Sequence, residues 1–134
     1  GWVQFSGARF MPEVFYFMRF HNIRVVSARS TYEHENPSDP SHWKIRAFSE
    51  EFEKLIRHGG ELNLLSIGDG ESELNASYHV RSEFLGSCVK TIKFLECPTI
   101  EQLARQIHVV EFSFSELYEH DSNADLDLAT LTYN

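Results

Sequence analysis

The chain has 134 residues, 42% of them hydrophobic and 13% aromatic, which is enough for one domain with a real core and is not the composition of a disordered chain. Twelve Lys and Arg against twenty Asp and Glu leave a net charge of −8 at pH 7, which argues against general affinity for nucleic acid or an anionic membrane, since both are held by basic surface. No run reaches the roughly 18 apolar residues of a membrane span, and no secretory signal is present.

The chain opens on glycine rather than methionine, so its start is expected to be cut, processed or incompletely represented. Phe10, Met11, Val14, Phe15, Phe17, Met18 and Phe20 predict a helix within residues 1–22, with Pro12 near its first regular turn. A helix apolar around most of its circumference is expected to be packed deeply, with a partner-facing surface as the alternative. Ile23-Arg24-Val25-Val26-Ser27 is short and β-branched and predicts a buried strand. Arg29 can hold an anion or pair with Glu33. Asn36 to Pro40 is a turn-rich loop. Ser38 or Asp39 can cap the next helix, with Pro40 in its first turn. That helix spans about 41–58, buries Trp43, Ala47, Phe48, Phe52, Leu55 and Ile56, and stops at His58-Gly59-Gly60.

Residues 62–67 predict a central strand and 71–84 a helix with Leu74, Ser77 and Tyr78 facing inward. Val89 to Leu95 alternates with a partly polar face, as an edge or half-buried strand does. Cys88 and Cys97 form neither a CxxC pair nor a zinc set. They read as reduced thiols of an intracellular, cytoplasmic protein, with a disulfide as the lesser alternative. Thr99 and Gln102 make a capping box ahead of a long helix. Residues 121–134 form an acidic tail, expected to be mobile or docked without a large core role.

Helices and strands alternating in this way predict one α/β domain over residues 1–120: a three-layer α/β/α arrangement, Rossmannoid in type, around a small parallel sheet. Three strands are few for so many helices, so a place for another parallel strand at the central edge is expected to be empty.

The most informative stretch is Leu64-Leu65-Ser66-Ile67-Gly68-Asp69-Gly70-Glu71-Ser72-Glu73. An apolar strand stops at a glycine and an aspartate and a helix begins, and ligands of open α/β sheets bind at that carboxyl end. Asp69 and Glu73, four apart, can place two carboxylates on one side, where a hard cation such as Mg²⁺ is bound. Alternatively, Asp69 is a helix cap and Glu71 and Glu73 answer the helix dipole. Ser27 at a strand end can donate to a phosphate oxygen or satisfy local backbone. Lys44 stands in a first helical turn, where the dipole disfavours a cation, as if aimed at an anion. The seven histidines make no HExxH, and Gly68-Asp69-Gly70 lacks the lysine of a P-loop.

In order and spacing, Val25-Val26-Ser27, Lys44 and Ile67-Gly68-Asp69-Gly70-Glu71-Ser72-Glu73 resemble the second, third and fourth motifs of the haloacid dehalogenase-like (HAD) phosphohydrolase superfamily, over residues 10 to 95. The resemblance implies the C-terminal part of a HAD-like core and Mg²⁺-dependent phosphoryl transfer on a small phosphorylated molecule. It implies that Ser27 binds the transferring phosphoryl group, that Lys44 neutralises charge, and that Asp69 with Glu73 holds Mg²⁺. The family's nucleophile lies in a DxD motif on a preceding strand, and the chain's D-x-D, Asp125-Leu126-Asp127, is out of place for it. The nucleophile is therefore expected from a missing N-terminal segment or a protein partner. The alternative is a catalytically silent HAD-like module that serves as a binding or structural subunit of an assembly.

Overall fold

A computed structural model describes residues 2–57, 59 and 62–130. Two short helices open the chain, α1 (Trp2–Phe10) and α2 (Pro12–Phe20). The Pro12 ring cannot continue a helix but suits a first turn, so the break falls at Met11. The deep packing expected of this segment is not found. No residue of α2 is buried, and Phe10, Tyr16 and Phe20 stand exposed, because the two helices pack chiefly on each other.

Residues 23–27 form no strand, contrary to the β-branched pattern. A strand needs a ladder, and no described residue pairs with this segment. Ser27 instead caps α3 (Ala28–Tyr32), and Arg29 takes its local option, an ion pair with Glu33 at 2.9 Å. Asp39 caps α4 (Pro40–Ile56), accepting from the His42 amide at 3.2 Å. Ala28, Tyr32, Trp43 and Ala47 form a small core between α3 and α4. There the Tyr32 hydroxyl donates to the Glu50 carboxylate, and burial together with that carboxylate pushes the phenol up to about 12. Leu55 and Ile56, expected inside, are exposed. The predicted helix stop lies partly outside the described residues; Gly59 itself adopts φ +83°, a conformation suited to glycine.

Three parallel strands follow in the order β1 (Asn63–Gly68), β2 (Cys88–Lys93), β3 (Ala124–Asp127), linked by α5 (Glu71–Glu83) and α6 (Ile100–Glu119). A 3₁₀ turn, Leu128–Thr130, ends the described chain. Leu64 and Val89 face Phe52 of α4 and Val80 of α5. Leu65 and Ile92 face Val110 of α6 and Leu128. Helices therefore cover both faces of a small parallel α/β sheet. The Thr99–Gln102 capping box is present at the start of α6, and both cysteines are free.

The sheet corrects two expectations. β2 is the central strand and β1 an edge. The polar residues that suggested an edge for β2 are buried with partners: the Lys90 ammonium donates to the Tyr118 carbonyl at 3.3 Å, near the end of α6 where the dipole favours a cation, and Thr91 donates to Asp125 at 2.7 Å. The third strand comes from the acidic tail, not from residues 23–27. Arg81 grips Asp125 through two bonds of 2.8 and 2.9 Å and reaches the Val89 carbonyl at 3.0 Å. That guanidinium and the Thr91 hydroxyl answer the charge that made Asp125-Leu126-Asp127 look unlike a strand. Leu128 is then buried against the sheet, so the described part of the tail, up to Leu128, packs with the domain.

Candidate functional site

The site is built on the turn between β1 and α5. β1 ends at Gly68, and Gly70 is the residue that caps α5. Asp69 is therefore not the cap; it stands exposed between the two glycines, and its carbonyl accepts from Lys93 Nζ at 2.6 Å. The glycines have a steric purpose. A Cβ on Gly68 would lie 3.1 Å from Glu73 Cγ, and one on Gly70 would lie 2.6 Å from Glu73 Oε2. The bare backbone lets the Glu73 side chain fold back over the turn.

Glu73 uses that space to meet Lys44. Nζ of Lys44 lies 2.5 Å from Glu73 Oε1, and the Ser72 hydroxyl donates to Oε2 at 3.0 Å. The Lys44 and Glu73 side chains retain 37% and 24% of their exposure, so the pair is partly shielded. Burial pushes the Glu73 carboxyl up, but the hydrogen bond and charge of Lys44 outweigh it and hold the group below the usual carboxylate range. α4 starts at Pro40, so Lys44 is its fifth residue and stands just past the first turn expected for it; the anion it meets is Glu73, twenty-nine residues further on.

Ser27 is the residue that caps α3, where its Oγ accepts from the Ser30 amide at 3.3 Å and donates to Ser30 Oγ at 2.9 Å. Ser27 and Lys44 line one cavity of about 380 Å³, together with Val25, Val26 and Arg29. Of the four residues singled out in the sequence, Lys44 and Glu73 are in direct contact, Ser27 shares a cavity with Lys44, and Asp69 lies in the turn just before Glu73's helix.

Sequence reasoning missed Lys93. It ends β2 in register with Gly68 and adds a second ammonium at the carboxyl end of the sheet, bonded to Glu96 at 3.0 Å as well as to Asp69. Its position as the last charged residue of a strand beside the Gly-Asp-Gly turn was the available signal. Among the described residues no group of three His, Cys, Asp or Glu converges as a metal cluster. The hard oxygen donors at hand are Asp69 and Glu73, and a Mg²⁺ ion bound largely through water needs one or two carboxylates. Chemically, the arrangement offers a held ammonium and a hydroxyl around a cavity, with the exposed Asp69 in the turn before the helix of Glu73. Comparison with protein-family models, curated protein sequences and solved structures finds no match.

Proposed function

We propose that these residues are the C-terminal part of a HAD-like phosphohydrolase core, whose nucleophilic aspartate comes from outside the chain as given. The observation that carries the reading is the Lys44–Glu73 contact at 2.5 Å, which fixes an ammonium beside the carboxyl end of β1. Phosphoryl transfer depends chiefly on positioning and on neutralising spread negative charge. Lys44, oriented by Glu73, would neutralise charge on the phosphoryl group, and Ser27 would donate to one of its oxygens. Mg²⁺, when bound, would supply further neutralisation, with Asp69 as its ligand from this chain and Glu73 in support.

Calorimetric titration of Mg²⁺ and of inorganic phosphate into the chain tests this. The reading expects Mg²⁺ binding that Asp69→Asn abolishes and phosphate binding that Lys44→Ala abolishes. A folded wild type that binds neither ligand refutes it.

The second reading is a silent module that acts as a binding or structural subunit. The observation favouring it is the exposure of Phe5, Phe10, Tyr16 and Phe20 on α1 and α2, an apolar patch of the kind that marks interaction sites. Failure of both titrations, with self-association lost in a Phe10→Ser/Tyr16→Ser/Phe20→Ser variant, supports that reading.

A further inference from the structure

We propose that the cavity at the amino-terminal end of the sheet binds a neutral sugar. The proposal is independent of the phosphoryl-transfer reading, whose Asp69–Glu73 turn follows the opposite end of β1.

The strands place the cavity. Asn63 and Cys88 are the first residues of β1 and β2, and Asn123 directly precedes β3. With Tyr118 and the loop after α6 they line a cavity of about 800 Å³. Small-molecule sites span roughly 300–1,000 Å³.

Structural bonds hold this lining in place. The Tyr118 carbonyl, near the end of α6, accepts from Asn63 Nδ2 at 2.7 Å and from Lys90 Nζ at 3.3 Å. The Cys88 thiol donates to the Ser122 carbonyl at 3.0 Å, and Asn123 Oδ1 accepts from the Val89 amide at 2.8 Å. The loop is thus tied to β2 at two successive residues.

The same bonds decide what each asparagine has left to offer. A carbonyl only accepts, so Asn63 meets Tyr118 through its amide nitrogen and keeps Oδ1 as an acceptor. A backbone N–H only donates, so Asn123 spends Oδ1 and keeps Nδ2 as a donor. Among the described residues neither remaining atom has a partner. The fold therefore fixes one acceptor and one donor at a single cavity before any ligand arrives.

The rest of the lining selects the ligand. It contains no Lys or Arg and does contain Asp121, which disfavours an anion. The Asn123 donor has no use for a cation. Leu62 and Tyr118 are its large apolar side chains, too few to cover both faces of a nucleobase. A sugar ring matches what is present. One hydroxyl donates to Asn63 Oδ1, another accepts from Asn123 Nδ2, and the Asp121 carboxylate takes further hydroxyl protons. Tyr118, 63% exposed, offers a ring face to the sugar's C–H groups.

NMR titration of the isotope-labelled 134-residue chain with D-glucose, D-galactose and D-mannose tests the proposal. At least one should bind with a Kd of about 1–10 mM and shift the side-chain amides of Asn63 and Asn123. Asn123→Asp keeps the oxygen that accepts from Val89 and turns the donor into an acceptor. Affinity should fall about tenfold or more, while the Val89 amide stays protected from exchange. Tyr118→Ala keeps the backbone carbonyl that Asn63 and Lys90 use and should weaken binding by a similar factor. Four results overturn the proposal: no sugar bound by the folded chain, shifts confined to residues outside the cavity, sugar binding unchanged in Asn123→Asp, or adenosine or inorganic phosphate shifting the two asparagines where no sugar does. Sugar binding without Mg²⁺ or phosphate binding keeps this proposal and removes the phosphoryl-transfer reading; the reverse pattern does the opposite.

Discussion

Replacing Gly70 by alanine isolates the contact on which the candidate site rests. Gly70 has φ −98° and ψ 150°, a conformation open to any residue, so alanine adds no backbone strain. Its lower unfolded-chain entropy stabilises by about 0.4–1 kcal/mol. The loss of glycine's advantage over alanine as a helix cap costs a similar amount, about 0.5–1 kcal/mol. What remains is steric. The new Cβ would lie 2.6 Å from Glu73 Oε2, so the carboxylate must swing away from Lys44 and Ser72. Oε2 is the far end of a flexible side chain, and the ion pair is partly exposed, so the net cost is about 1 kcal/mol. Gly68→Ala differs, because its Cβ meets Glu73 Cβ, which the helix backbone fixes, at 3.2 Å as well as Cγ at 3.1 Å. That variant must shift the first turn of α5 and should lose more stability. The assay is an NMR titration of the Glu73 carboxyl beside thermal unfolding of each variant. In Gly70→Ala, the Glu73 carboxyl should titrate higher than in the wild type, with a fall of about 3–5 °C in melting temperature. A Glu73 that titrates as low in Gly70→Ala as in the wild type would refute the claim that the glycine makes room for the Lys44 pair.

Other outcomes follow from the same contacts. Arg81→Met removes both bonds to Asp125 and should cost about 1–2 kcal/mol after allowance for exposure; faster exchange of the Leu126 amide should mark the loosening of β3. Gln106 is fully buried and accepts from the Leu95 amide at 2.7 Å, so Gln106→Leu should cost about 1–3 kcal/mol by orphaning that N–H, read as a drop in the urea midpoint. Glu73 and Asp125 are both held below the usual carboxylate range, Asp125 chiefly by its hydrogen bond from Arg81. In that window the unfolded chain binds more protons, so stability rises with pH. Their contribution is full above the unfolded values of about 3.9–4.3 and is lost as pH falls through the lower folded values. A Glu73→Gln/Asp125→Asn double variant should flatten melting temperature against pH below about pH 4 relative to wild type.

Local signals in the sequence were sufficient for much of the fold. Pro12, Asp39-Pro40 and the Thr99–Gln102 box set helix starts where the structure has them, because caps and proline act within one turn. The run Leu64–Ile67 ending at Gly68 was enough for a strand and a turn, and the alternation of elements was enough for a parallel α/β sheet. The order of strands was a tertiary matter. Lys90 and Thr91 suggested an edge because burial of polar groups depends on partners that lie distant in sequence, Tyr118 and Asp125. Asp125-Leu126-Asp127 is a strand because Arg81 neutralises it, and Ile23–Ser27 is not one because no described strand completes its ladder. At the site, the sequence singled out Lys44 and Glu73 separately. Only the fold brings them to 2.5 Å, over two glycines whose missing side chains leave the space.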